Sequence, residues 1–285
     1  MGLVRTLVDQ KHAEPVLPRG LRELYDGDLH FPAASAQRPY VIGNFVSTLD
    51  GVVSFKIKGH AGGSAISASD AADRFIMGLL RAAAHAVIIG SRTLHDVSPE
   101  GLWIPEYTYP SGKDLYTEYR VNVLQKPEYP LTVIVSGSGR LDLNRAIFRT
   151  PKVRTAVITT PAGRDELTKA GVTRLNCVEL YALDAFSGVI DPQAIMKLLH
   201  LKLGVRILLH EGGPTLFGTF LEAQLIDELF LTVSPQIGGR AAHTIRPGLV
   251  QDVGFSPESA PWFQLLSLKQ RNDYLYLRYR LTGPR

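Results

Sequence analysis

Three short glycine-bearing stretches are the parts of this chain best suited to chemistry on a phosphorylated ligand. They are Gly90-Ser91-Arg92-Thr93, Ser136-Gly137-Ser138-Gly139-Arg140 and Glu211-Gly212-Gly213-Pro214-Thr215. Each closes a largely apolar run. Glycines there strip side chains from the corner where a strand ends, and the unpaired amides that open a helix carry partial positive charge that favours phosphate. Pro214 suits the first helical position, where its missing N–H costs nothing. One Gly-Gly corner alone is equally well a plain connection. Three in one chain point to an extended ligand with several phosphates, as a dinucleotide has. Arg92 and Arg140 stand either as contacts to a 2′-phosphate or as solvated surface charges. None of the corners is a GxGxxG fingerprint followed by an acid about 20 residues on, so the usual Rossmann reading fails. Of the eight histidines, none has the i, i+4 spacing of metal ligands, and His210, beside Glu211, is the candidate to touch a ligand. Asp50-Gly51 reads as a tight turn whose carboxylate either bonds its own turn or faces the site.

The elements that must position these residues follow from periodicity. Buried strands are expected at 40–47, 86–89, 131–135, 155–159, 174–180, 207–209 and 229–233. Ser67-Ala68-Ser69-Asp70 reads as a helix start, followed by Ala72, Phe75, Ile76, Leu79, Leu80 and Ala83 on one face. Further helices are expected at 164–170, from Asp191-Pro192 to Gly204, and after Pro214. Two alternating strands, 262–271 and 274–281, flank Asn272-Asp273 and read as a hairpin. Residues 55–66 are a Gly-rich loop. Residues 97–129 are Pro- and Tyr-rich without periodicity; Tyr107, Tyr109, Tyr116 and Tyr119 there form a lid, loop packing or a dimer contact. The expected fold class is α/β, a three-layer domain with a mixed, mostly parallel sheet and a C-terminal antiparallel hairpin. Residues 1–37, with one short helical stretch at 21–25, form an arm over a single domain, 38–285. In such a sheet ligands gather outside the carboxyl ends of the strands.

Composition excludes several classes. The 285 residues are 45% hydrophobic and 20% charged, with net charge +4. That balance is ordinary for a globular protein, too mildly basic to argue for nucleic acid, and compatible with an anionic ligand. One cysteine, Cys177, rules out a disulfide framework and a Cys-based zinc site. No run approaches the roughly 18 apolar residues of a membrane span, and a cytoplasmic location is expected.

In this context the residues resemble the reductase domain of riboflavin biosynthesis and its stand-alone pyrimidine reductase relatives, which are dihydrofolate-reductase-like. The matching pieces are Ser47-Thr48-Leu49-Asp50-Gly51, Asp73-Arg74 with Leu80-Arg81-Ala82, Ala86 to Gly90 leading to Thr93, and Leu209 to Pro214 through Asp227-Glu228-Leu229 to Gly238. The resemblance implies NADPH as cofactor, a homodimer, and hydride transfer to C1′ of a 5-amino-6-(5-phosphoribosylamino)uracil-like pyrimidine. It places the three corners, including Thr215, on the cofactor. It makes Glu211 and Asp50 the candidate catalytic carboxylates and sets Asn44, Ser47, Ser67, Arg74 and His210 on the substrate. Val52-Val53 stands where the family usually has a Lys, and Leu94 to Pro99 lacks the usual Asp-Pro with a following Arg. The substrate side therefore departs from the family more than the cofactor side. Alternatives are the same fold reducing another pterin or pyrimidine such as dihydrofolate, or a nucleotide-binding homologue without turnover. The paired His-x-Glu and Pro-Cys-x-x-Cys motifs of the accompanying zinc deaminase do not occur in the sequence.

Overall fold

Near-continuous apolar runs become the centre of a ten-stranded sheet in the computed structural model, which describes residues 2–9, 15–57, 60, 62–186 and 188–283. In chain order the strands are β1 (Arg5–Asp9), β2 (Tyr40–Ser47), β3 (Ala86–Gly90), β4 (Leu131–Ser136), β5 (Thr155–Thr159), β6 (Val178–Ala182), the two-residue β7 (Ala185–Phe186) and β8 (Val189–Ile190), β9 (Ile207–His210), β10 (Glu228–Val233), β11 (Trp262–Arg271) and β12 (Tyr274–Gly283). The sheet order is β1-β11-β12-β10-β2-β9-β3-β4-β5-β6, with β7 and β8 as a separate hairpin. From β10 to β6 every pairing is parallel. The pairings from β10 through β12 and β11 to β1 are antiparallel.

Both faces of the parallel strands are covered, which is why those strands are apolar throughout. Ile42, Val87, Ile89 and Leu209 face a core shared with the Ala71–Ala83 helix. Their sequence neighbours Val41, Ile88 and Leu208 face the opposite core, under the Pro192–Lys197 and Pro214–Glu222 helices. The Ala71–Ala83 helix is capped by Asp70, whose Oδ1 accepts from the Ala72 and Asp73 amides at 2.9 Å each. The expected cap at Ser67 is therefore three residues early. Asp70 prevails because its carboxylate reaches two of the helix's orphan amides at once.

Three other expectations change. The segment 97–129 is folded, not a bare loop: short helices at Pro105–Thr108 and Lys113–Thr117 lead into a wide π turn over Glu118–Val123. Tyr116 and Tyr119 are buried in the first core, and the Tyr116 hydroxyl donates to the Phe75 carbonyl at 2.8 Å. Tyr116 and Tyr119 thus pack the core, Tyr109 sets its ring edge-on to Phe75, and Tyr107 is exposed. Arg120, also buried, donates to the Ala82 carbonyl at 3.0 Å and so closes the C-terminus of the Ala71–Ala83 helix, where a cation is favoured. The strand expected at 174–180 begins only at Val178, because a 3-10 turn occupies Val172–Arg174. The N-terminal segment is built into the fold: β1 extends the sheet along β11, and the Arg19–Tyr25 helix buries Leu21 and Tyr25. Lys269 fastens it, donating to Thr6 Oγ1 at 2.7 Å and lying 4.1 Å from the Tyr25 ring centroid. Residues 10–14 of the expected arm, and 58, 59 and 61 of the expected Gly-rich loop, lie outside the described residues.

Candidate active site

Seven parallel strands end on one rim, so the corners after Gly90, Ser136 and His210 share it. The strands β9, β3 and β4 are consecutive in the sheet, which makes the three corners neighbours. The first two touch. A β-carbon on Gly213 would stand 3.3 Å from Thr93 Oγ1, and one on Gly90 would stand 3.8 Å from Leu216. Gly213 is the N-cap of the Pro214–Glu222 helix and makes no side-chain cap bond, so no side chain caps that helix's first-turn amides. A bare backbone opposite Thr93, at a helix start, is the surface a pyrophosphate requires. Thr215 is turned aside, its hydroxyl donating to Asp252 Oδ2 at 3.0 Å.

The third corner is tighter than its sequence implied. Gly139 has φ +68°, and a side chain on it would collide with the Gly163 carbonyl of the next helix. Thr159 and Thr160 donate to the Ser136 and Gly137 carbonyls at 2.6 and 2.8 Å. These glycines therefore serve close packing of the turn. Ser138 and Arg140 remain exposed at its tip, and Ser136 Oγ is buried without a partner. Arg92 is exposed as well, and among the described residues neither the Arg92 nor the Arg140 guanidinium makes a hydrogen bond. A bare backbone corner, an uncapped helix start and two unengaged arginines fit a phosphorylated dinucleotide.

The two expected catalytic carboxylates are already occupied. Glu211 Oε2 accepts from Arg81 Nη2 at 2.7 Å, and Arg81 Nε lies 3.1 and 3.2 Å from the two carboxylate oxygens. The pair is buried, the side chains being 6% and 8% exposed, and Arg81 Nη1 also donates to the Leu102 and Ile104 carbonyls. It ties the corner after β9 to the Ala71–Ala83 helix. Asp50 accepts from Thr48 Oγ1 at 2.5 Å and from the Gly238 and Gly239 amides at 2.9 and 2.7 Å. Those bonds, the Thr48 hydroxyl first, hold its carboxyl down at about 2. Asp50 thus clamps the loop after β10 to the loop after β2 and has no proton to give at neutral pH.

The substrate-side residues divide between both faces. Asn44 on β2 shares a small polar cavity with Thr232, Lys269 and Tyr276 on the first-core side. Ser47 ends β2 in register with Val233 and is buried. Arg74 Nε donates to the Thr108 carbonyl at 2.5 Å, holding the 97–129 segment. His210 points the other way, into the second core. It is fully buried, its ring 5.3 and 5.0 Å from those of Phe217 and Phe220. Neither ring nitrogen has a hydrogen-bond partner, and burial pushes its pKa down to about 3. It is a neutral packing residue beneath the corner, not a ligand contact.

Sequence reasoning missed one group. Asp73 is only 6% exposed, in the first turn of the Ala71–Ala83 helix. Burial raises its pKa to about 6, and the hydroxyls of Thr232 and Ser67 only partly oppose this. Its position carried a signal: it falls three and seven residues before Ile76 and Leu80, where a polar residue interrupts an apolar stripe. Thr232 lies one residue from the end of β10, in register with Val46 of β2. Asp73 therefore sits at the same rim as the glycine corners, on the first-core side.

Comparison with known proteins agrees with this geometry. The curated 2,5-diamino-6-ribosylamino-4(3H)-pyrimidinone 5′-phosphate reductase of Archaeoglobus fulgidus is 28% identical over 212 residues, 74% of this chain and 87% of that protein. Acinetobacter baumannii RibD superposes with a TM-score of 0.63 at 22% identity; the match covers 87% of this chain, which spans 60% of that one. A pyrimidine reductase-like protein from Corynebacterium diphtheriae gives 0.61 at 17% identity, covering 85% of this chain and 92% of its own. These likenesses establish the dihydrofolate-reductase-like α/β fold. No helix among the described residues is long and apolar enough to cross a membrane. A family model matching residues 39–273, from the first parallel strand into the terminal hairpin, makes the chain a member of the RibD C-terminal domain family.

Proposed function

We propose that the chain is an NADPH-dependent reductase that delivers hydride to C1′ of a phosphoribosylamino-pyrimidine, forming the ribitylamino product of riboflavin biosynthesis. One observation supports this: adjoining strand ends on one rim bring the bare backbone of Gly213 against Thr93, with Arg92 exposed on the same corner and Arg140 on the next. In this reading the amides at Gly212, Gly213 and the helix start hold the pyrophosphate, with Gly90, Ser91 and Thr93 opposite. Arg92 or Arg140 meets the 2′-phosphate that separates NADPH from NADH. When bound, the cofactor supplies the hydride.

The protein supplies position and dryness. The acceptor is the open-chain imine of the substrate, C1′=N. Hydride adds at C1′ and a proton reaches the nitrogen, so one NADPH and one proton are consumed per turnover. Glu211 acts by fixing the corner through Arg81, and Asp50 acts by fixing the two rim loops through Gly238 and Gly239. Both are positioning residues. The assembly proposed is a homodimer. The outer edge of β11 is taken by β1, so a dimer through the terminal hairpin must use its faces or β1 itself.

The test is binding followed by turnover. NADPH should quench the fluorescence of buried Trp103, and its absorbance should fall only when a phosphoribosylamino-pyrimidine is added. Binding without turnover of any such substrate would overturn the reductase reading, and failure to bind would remove the cofactor site.

A further inference from the structure

The hairpin β7–β8 follows the end of β6, on the same rim as the glycine corners. Its root is fixed where the Leu183 amide donates to the carbonyl of Thr159, the last residue of β5, at 2.8 Å. Its tip reaches the corner after β4: a β-carbon on Gly137 would stand 3.2 Å from the Gly188 carbonyl. The register pairs Ala185 with Ile190 and Phe186 with Val189. Successive pairs in a ladder point to opposite faces. Ile190 is buried in the second core, so Phe186 and Val189 point away from that core. Phe186 is 88% exposed, the most exposed large apolar side chain among the described residues. The corner against which the tip rests also carries the exposed Ser138 and Arg140 and the unpartnered hydroxyl of Ser136.

A lone exposed apolar side chain is ordinary on a protein surface. Its position sets this one apart. Strands β3, β4 and β5 are consecutive in the sheet. At about 4.8 Å per strand, the corner after β4 is one spacing from the end of β3, and the end of β5 is two, roughly 10 Å. The end of β3 carries Thr93, which the cofactor reading sets against the pyrophosphate, and two spacings is about the reach of an adenosine from its 5′-phosphate. An adenine is flat, and its face stacks on an aromatic ring. Resting on that cofactor reading, we propose that Phe186 is the adenine-positioning residue: the purine lies over the corner after β4 and stacks on the Phe186 ring. The hairpin is then part of the cofactor site, although neither a glycine corner nor a charge marks it in the sequence.

Calorimetric titration of the wild type, Phe186→Ala and Phe186→Trp tests this with two ligands. One is NADPH; the other is adenosine 2′,5′-bisphosphate, which keeps the adenine half and lacks the nicotinamide. Phe186→Ala should weaken both by the same factor, about tenfold or more, as the loss of one base–aromatic stack does. Phe186→Trp should bind both at least as tightly as the wild type. Neither change touches the core, so the unfolding midpoint should stay where it is. Unchanged affinity of Phe186→Ala for both ligands would overturn the stacking role, and a shifted sedimentation coefficient alongside it would assign the ring to contact between copies of this chain. A loss confined to NADPH, or a wild type that binds NADPH but not the bisphosphate, would overturn it too, while leaving a nicotinamide site. A wild type that binds neither ligand would instead overturn the cofactor reading itself.

Discussion

Replacing Asp73 with Asn should make the protein more stable, and only above a certain pH. Its carboxyl is raised from an ordinary 3.8 to about 6 by burial. The folded state therefore holds the Asp73 proton more tightly than the unfolded state. The sign follows: Asp73 is harmless below pH 4, where it is protonated in both states, and costs stability progressively as pH climbs through about 6. A shift of roughly 2 units at about 1.4 kcal/mol each gives about 3 kcal/mol at pH 8. For a chain this long that is on the order of 5 °C in Tm. An asparagine never ionises. Urea denaturation followed by Trp103 fluorescence should place Asp73→Asn above the wild type by about 2–3 kcal/mol at pH 8 and level with it at pH 4. The same gap at both pH values, or a variant weaker at pH 8, would refute the idea that burial penalises the charged carboxylate there.

Four more outcomes test the surrounding framework. Glu211→Gln leaves Arg81 buried without its charge partner and should cost about 3–5 kcal/mol in denaturation; replacing both residues by apolar ones should cost less than that single change. Gly213→Ala introduces a methyl 3.3 Å from Thr93 Oγ1 at an ordinary φ of −65°, so it should fold normally yet weaken NADPH binding in a titration by about tenfold, as a methyl fills the phosphate cradle. Gly139→Ala, at φ +68° against the Gly163 carbonyl, should instead lower Tm by several degrees, through a backbone cost of roughly 1–3 kcal/mol. If Arg92 or Arg140 grips the 2′-phosphate, its replacement by Ala should reduce the NADPH over NADH affinity ratio, and an unchanged ratio for both would assign them to the surface.

The sheet was legible from sequence because buried parallel strands must be apolar on both faces, and β2 begins and ends where its YVIGNFVS run does. Strand β1 was not, since a five-residue edge strand with mostly exposed side chains has no pattern to read. The helices within 97–129 are four or five residues long, too short for periodicity, so lid, loop packing and dimer contact stayed open for their tyrosines; only the fold sets Tyr116 against Phe75. The glycine corners were readable as a set, but which glycine faces a ligand was not. Gly213 opens toward Thr93 while Gly139 abuts Gly163, a distinction that exists only once helices are packed. The partners of the carboxylates were hidden for the same reason. Arg81 and Glu211 are 130 residues apart in sequence, so nothing in the sequence marks the acid beside two glycines as ion-paired. Asp73 lay inside an apolar stripe and could have been flagged on that ground alone.

The central claim is settled most directly by following the transferred hydrogen. With NADPH deuterated at the nicotinamide C4 position that donates hydride, and a phosphoribosylamino-pyrimidine as substrate, the account predicts a ribitylamino product carrying one deuterium at C1′, read by NMR. Deuterium retained entirely on the cofactor, or a product labelled anywhere else, would contradict it.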